Sequence, residues 1–287
     1  MLINGKTRLE NHVIDFLTEH GACSAKSLYQ AIQSTYGPCT IQGLYRVLRQ
    51  LQSKEVVVKQ KKQYCLAIPW LMGISRLTDE MEETYLRHTY LSQLLPKTES
   101  RHVWTFSNLL KMNSFWSHLL LVMAKDSNDA VALHYSPHAW YLILHRDQSM
   151  QFSKALLRQV PASLTVVGSK SYLDKMSTSV TQDIYPNKKF YLAPPDEHIE
   201  KSRSTHIDVI GDYVLEVKMD EKTTALIENL FANTVAPHDI DSSDIFPFYE
   251  HKAAVKMTLK KDPKRAGIYK KKFENLFGPL HKMKKDS

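Results

Sequence analysis

A chain of 287 residues with 43% hydrophobic and 24% charged side chains has room for two domains, and that balance excludes wholesale disorder. The longest apolar run, Leu119–Ala124, falls far short of the roughly 20 residues that a membrane-spanning helix needs. The net charge of +8 is uneven: residues 1–75 carry nine Lys/Arg against four Asp/Glu, residues 251–287 carry twelve against three, and the middle is net acidic. Basic ends suit an anionic partner, although a solvated lysine surface accounts for the same count. The N-terminus carries no apolar stretch of the signal-peptide kind, so a cytoplasmic protein with no membrane partner is expected. Cys23, Cys39 and Cys65 are odd in number and lack C-x-x-C spacing, so neither a disulfide framework nor a zinc knuckle is signalled.

In chain order, Thr7-x-x-Glu10 reads as a capping box for a helix with Leu9, Val13, Phe16 and Leu17 on one face, ended by His20-Gly21. Ser24 caps a second helix carrying Leu28, Ala31 and Ile32 on its inner face. Thr35–Cys39 contains Gly37-Pro38 and must turn. Thr40 then caps a third helix with Ile41, Leu44, Tyr45, Leu48 and Leu51 at helical spacing. The period changes after that. Val56–Lys59 and Gln63–Ile68 are short and β-prone, with Gln60-Lys61-Lys62 as a hairpin tip.

Three short helices followed by a basic hairpin is the winged-helix order, and Thr40 to Val57 resembles the recognition helix and following strand of bacterial winged-helix repressors. The resemblance covers residues 1–69 and implies a DNA-binding transcriptional regulator with double-stranded DNA as its partner. With Ile41, Leu44, Leu48 and Leu51 turned inward, Gln42, Arg46, Arg49, Gln50 and Ser53 turn outward, and Gln42, Arg46 and Gln50 form one row. A helix fits the major groove, where Arg pairs with guanine and Gln with adenine edges. Lys26, Ser27 and Thr40 stand near helix starts where phosphate would lie, and Lys59, Lys61 and Lys62 on the wing suit phosphate or the minor groove. A winged helix that serves as a protein-interaction module, as in an antitoxin, is the competing expectation.

Leu77–Leu95, within residues 76–96, reads as a linker helix that joins the head to the effector domain or to a partner subunit, and a homodimer is expected because a single head contacts few base pairs. Residues 100–234 alternate type and imply a mixed α/β domain of five to seven strands. Helices are expected at Asn113–Lys125, Ser149–Val160, Lys170–Met176 and Glu221–Asn233. Strands are expected at Ala130–Tyr135, Trp140–His145, Leu164–Val167, Lys189–Ala193, His206–Ile210 and Tyr213–Met219, the last two joined by Gly211-Asp212. This order is similar to the degenerate phospholipase-D-like effector domain of sugar-sensing regulators, and also to the α/β domains of abortive-infection antitoxins. The His-x-Lys-x4-Asp motif of the active enzymes is absent, since Lys252 directly follows His251.

No phosphate loop, G-x-S-x-G or H-E-x-x-H is present, so no catalytic residue, metal or cofactor is expected. His134 and His138 stand four apart, but Pro137 between them argues against a helical ligand pair. Trp104, Phe106, Phe115, Trp116, Tyr135, Trp140 and Tyr141 either line a pocket for a small-molecule or protein effector or pack the core. Val235–Tyr249 reads as a loop, and 251–280 as basic helices, with Lys256, Lys260, Lys261, Lys264, Arg265 and Lys270–Lys272 beside apolar positions. His281–Ser287 is expected to fray. The fold class is therefore α+β or α/β: a winged helix-turn-helix, a mixed α/β domain and a basic helical C-terminus.

Overall fold

The structure, a computed structural model, describes residues 9–87, 95–97, 100–128, 130–236, 239 and 242–283. It is a mixed α and β architecture with two sheets, and the chain divides into two compact units, Met1–His88 and Thr89–Ser287.

The first unit begins with α1 (Leu9–His20), which ends where Gly21 takes a φ of 70° and its N–H reaches Leu17 O at 3.0 Å. Thr7 of the expected capping box lies outside the described residues. The two-residue strand β1 (Cys23–Ser24) leads into α2 (Ala25–Tyr36), whose N-cap Ser24 accepts from Ser27 N. In the same way Thr40 Oγ1 accepts from Gly43 N at 3.0 Å and starts α3 (Ile41–Ser53). The hairpin β2 (Val57–Gln60) and β3 (Gln63–Leu66) follows, and β1 adds antiparallel to β3. Val13, Leu17, Leu28, Ile32, Leu44, Leu48, Leu51, Val57 and Tyr64 form the buried core.

The linker helix starts earlier than its apolar spacing suggests. α4 runs Ile68–Arg87, because Pro69 sits in the first turn, where its missing N–H costs nothing. Its expected course to Leu95 passes outside the described residues.

The second unit is built on a seven-stranded sheet of order β4-β10-β9-β8-β5-β6-β7. Its elements are β4 (Arg101–Phe106), α5 (Leu109–Asp126), β5 (Ala132–Ser136), α6 (Tyr141–Leu144), α7 (Arg146–Leu157), β6 (Ser163–Val167), α8 (Tyr172–Ile184), β7 (Lys188–Leu192), β8 (Thr205–Ile210), β9 (Tyr213–Met219), α9 (Glu221–Asn233), α10 (Ser242–Glu250), β10 (Val255–Lys261) and α11 (Pro263–Phe277). β5, β6 and β7 run parallel and the other pairings are antiparallel. The larger core joins Trp116, Leu119, Met123, Trp140, Leu215, Met257 and Leu259. The other face of the central strands packs Leu133, Val166, Ile207 and Val209 against Ala266, Tyr269 and Phe273 of α11. Gly211, at φ 58°, turns the β8–β9 hairpin, and a side chain there would meet the Ser127 hydroxyl.

Several expected elements are corrected. Trp140–His145 is a helical turn rather than a strand: Leu144 N bonds Trp140 O at 2.9 Å and Ser149 Oγ donates to Tyr141 O. Burial of Trp140 and Leu142 overrides the β preference of the aromatic run. The expected loop Val235–Tyr249 contains most of α10, with Pro247 inside the helix and its carbonyl accepting from His251 N at 2.9 Å just past the helix end. The largest correction falls at the C-terminus. Residues 255–261 form β10 and not a helix, because Val255, Met257 and Leu259 alternate with Lys256, Thr258 and Lys260, a period of two that closes the sheet between β4 and β9. Only α11 of the basic C-terminus is a long helix. β4, whose half-buried His102, Trp104 and Phe106 alternate with exposed neighbours, was not expected at all.

Candidate functional site

Two places in the molecule concentrate chemistry. One is the outer face of α3 with its neighbouring hairpin. Leu44, Leu48 and Leu51 are buried and Val47 half-buried, so the helix turns Gln42, Tyr45, Arg46, Arg49, Gln50 and Ser53 to solvent. Gln42, Arg46 and Gln50 do fall on this exposed face. Ile41 does not point inward as expected: it is 41% exposed, and Tyr45 is 44% exposed. At about 100° per residue, positions 41 and 45 lie at the rim of the outward arc that 49, 42, 46 and 50 continue. The face is therefore amphipathic, with an apolar edge that the inward assignment of Ile41 hid. Arg49 is partly tied to its own helix, Nε donating to Tyr45 O at 3.3 Å.

The remaining residues of that face are exposed but differently employed. Ser27 lies in the first turn of α2, where its N–H and hydroxyl both meet the Ser24 hydroxyl, and Lys26 is beside it. Thr40 spends its side-chain oxygen as an acceptor at the α3 cap. Lys59 lies with its ammonium 5.5 Å from the ring of Tyr64, its partner across the hairpin. Gln60 and Gln63 pair in register, so the turn is Lys61-Lys62 alone, and Lys61 takes a φ of 55°. A lysine in the left-handed region costs about 1 kcal/mol that glycine or asparagine would avoid. The basic residues of the C-terminus are spread over β10 and α11 instead of one helix face. Lys256 stands opposite Lys218, and Lys260 opposite Arg101, while Arg265 pairs with Glu216 at 2.6 Å.

The second place is inside the sheet of the second unit, and sequence reasoning missed it. Asp208, His134 and Thr165 stand in register on β8, β5 and β6, and on the same face, two residues along, Ser163 opposes Lys188 of β7. Asp208 accepts from Trp116 Nε1 at 2.6 Å through one carboxylate oxygen and from His134 Nδ1 at 2.7 Å through the other. This fixes the His134 proton on Nδ1 and leaves Nε2 without a protein partner. Lys188 is 3% exposed, and its Nζ donates to Ser153 Oγ at 2.7 Å. Burial pulls its pKa down to about 8.

A second buried group adjoins the first through β5. His138 Nδ1 meets Asp174 Oδ2 at 2.8 Å, and its Nε2 lies 3.3 Å from Glu228, which also holds Arg203 at 2.9 Å. Burial opposes the imidazolium, but the two carboxylates outweigh it and raise the pKa to about 9. His206, bonded to Ser136 Oγ at 2.9 Å, is driven the other way, to about 3, by burial and then by the charge on His138. Each histidine thus already has a protein partner. Of the expected aromatic group, Trp116, Tyr135 and Tyr141 line the cavity over the Asp208–His134–Thr165 row. Trp104 and Phe106 each meet the ring of Phe115 in a tilted contact, and Trp140 is wholly buried. The signal in sequence is a polar residue inside otherwise apolar strands, as in Thr165-Val166-Val167, Leu133-His134-Tyr135 and Ile207-Asp208-Val209.

No family model and no curated protein matches this chain. The solved structure of TrmBL2, an archaeal chromatin protein said to show a novel mode of DNA binding, superposes over 98% of this chain and 95% of that one, at 14% identity and a TM-score of 0.33. At that score the likeness carries no argument about fold or function. Among the described residues, no helix is long and apolar enough to cross a membrane.

Proposed function

We propose that the first unit is a winged helix-turn-helix that reads duplex DNA, and that the protein is a cytoplasmic DNA-binding transcriptional regulator. The observation that supports this most is the solvent-facing row Gln42, Arg46 and Gln50 on α3, beside a hairpin whose turn is made of Lys61 and Lys62. A helix of this kind presents guanidinium and amide groups at the spacing of base edges in a major groove. The turn keeps lysine at a backbone angle that costs stability, which an anionic partner would repay. In this reading Lys26, Ser27, Thr40, Arg49 and Lys59 contact the phosphate backbone, and no residue acts catalytically.

The reading includes a homodimer, because one such helix spans few base pairs and two-fold pairing multiplies the contacts. α4 supports it with exposed Ile68, Leu71, Met72, Leu77 and Met81. Sedimentation of the full chain as a monomer at micromolar concentration would remove this part.

The test is selection of bound duplexes from a random pool, followed by variants. Arg46→Ala and Gln42→Ala should cost about 1–3 kcal/mol on the selected sequence and little on others, whereas Lys61→Ala should weaken all duplexes alike. Equal loss on every sequence for Arg46→Ala would refute base reading. One observation favours a second reading, an antitoxin-like module that binds protein: Ile41 and Tyr45 give the α3 face an exposed apolar edge. A stable heteromeric complex with no duplex binding at low salt would decide for it.

A further inference from the structure

The face of the second unit's sheet under α5 and α7 should be apolar, and around Trp116, Leu120 and Phe152 it is. In its middle stand polar groups with unmet hydrogen-bonding capacity. His134 is 8% exposed, Thr165 1% and Ser163 fully buried, yet His134 Nε2, Thr165 Oγ1 and Ser163 Oγ have no partner within the protein. Each such atom costs about 1–3 kcal/mol unless something fills the need. Lys188 adds a buried ammonium whose hydrogen bond goes to the neutral Ser153 hydroxyl, leaving two of its protons to place. The ammonium also lies 6.0 Å from the ring centre of Phe152 and 5.7 Å from that of Phe190.

Of these groups His134, Thr165 and Lys188 line a cavity of about 40 Å³, with Asp208 beside them on the sheet side and Trp116, Leu120 and Phe152 on the helix side. That is more than one water needs, and the half-buried Ser117, Tyr141 and Phe152 also line it. The wall is thus two-sided. One side offers donors at Lys188 Nζ and Thr165 Oγ, with His134 Nε2 beside them; the other is hydrocarbon. Asp208 lines the same cavity, but its oxygens are turned to Trp116 and His134, and the hydrogen bond of the Lys188 ammonium goes to Ser153 and not to a carboxylate.

We propose that this cavity binds a small organic carboxylate, its head group on Lys188 and Thr165 and its short apolar body against Leu120 and Phe152. An inorganic oxyanion would satisfy the lysine but leave the apolar wall empty, and a neutral molecule would leave the ammonium uncompensated. The carboxylate would occupy the effector position in a regulator, but its binding does not depend on how the first unit is read.

The test is titration of the full chain with butyrate, followed by ¹H–¹⁵N and methyl resonances of residues 113–120, 132–136 and 163–167, with butyramide and inorganic phosphate as comparisons. Saturable shifts confined to these segments are expected with butyrate, and at least tenfold weaker binding with butyramide and with phosphate. Lys188→Met keeps an unbranched side chain one atom shorter, removes a buried charge and should fold; it is expected to lose butyrate at least tenfold. Thr165→Val, of the same shape, should weaken it several-fold and keeps the question open to test should Lys188→Met not fold. Absence of saturable shifts up to tens of millimolar butyrate, undiminished binding by both variants, or equal binding of phosphate would overturn the proposal. Duplex binding measured on the same samples separates the two readings: butyrate binding without duplex binding sinks only the DNA reader, and the reverse sinks only this site.

Discussion

The two units place their polar groups on opposite sides of the surface. In the first, charge sits outside, on α3 and the hairpin turn, over a core of aliphatic side chains. In the second, Asp208, His134, Lys188, Asp174 and His138 sit inside, each buried among apolar residues. Among the described residues, the buried polar side chains all belong to the second unit. The contrast teaches what each design risks. An exposed arginine costs little and can be exchanged without unfolding the chain, whereas a buried lysine or carboxylate is tolerated only if its hydrogen bonds are made.

The comparison predicts that the units fail separately. Leu48→Ala removes a fully buried side chain from the core of the smaller unit and should destabilise it by about 2–5 kcal/mol. Hydrogen exchange should rise across residues 9–66 while β5, β6 and β8 keep their protection. Loss of protection in both units together would contradict independent stability.

Next in size is a pH effect confined to the second unit. His138, with its pKa raised from 6.5 to about 9, stabilises the fold fully below pH 6.5, and that contribution is lost as pH rises through 9. Lys188, lowered from 10.5 to about 8, has the opposite sign: its burial penalises folding below pH 8, and the penalty fades as pH rises from 8 towards 10.5. Stability should therefore fall between about pH 6.5 and 8 and level off or recover between 9 and 10. Lys188→Met should abolish the recovery and raise stability at neutral pH by about 1–3 kcal/mol in urea titrations. A Lys188→Met curve parallel to that of the parent chain would show that the lysine is not buried as described.

The legibility of the chain follows the same divide. Ser24, Thr40 and Gly21 act at helix ends because their side chains or missing side chain work locally, and the row on α3 follows from a period of 3.6. Ile41 was misplaced because the first turn of a helix can leave the core. Ala253, Val255, Met257 and Leu259, flanked by lysines, suggest a basic helix, although their spacing of two is the mark of a strand. The buried row was illegible for a stronger reason: Asp208, His134 and Thr165 lie 31 to 74 residues apart and meet only through the register of β8, β5 and β6. No local pattern encodes that register.

Smaller effects sharpen the contrast. Lys61→Asn relieves the strained turn and should stabilise the first unit by about 1 kcal/mol while weakening DNA binding on every sequence. Lys256→Thr removes one of two lysines facing each other across β10 and β9, and should stabilise the second unit by about 0.2–1 kcal/mol without touching duplex binding. Both are read by thermal unfolding.

The most direct measurement is duplex affinity of the full chain as a function of salt. Log K should fall linearly with log salt by about 0.9 for each phosphate neutralised, approaching a slope of about −4.5 for each protomer bound if Lys26, Arg49, Lys59, Lys61 and Lys62 all engage. A flat response, or no duplex binding even at low salt, would contradict the DNA-reading assignment of α3 and its hairpin.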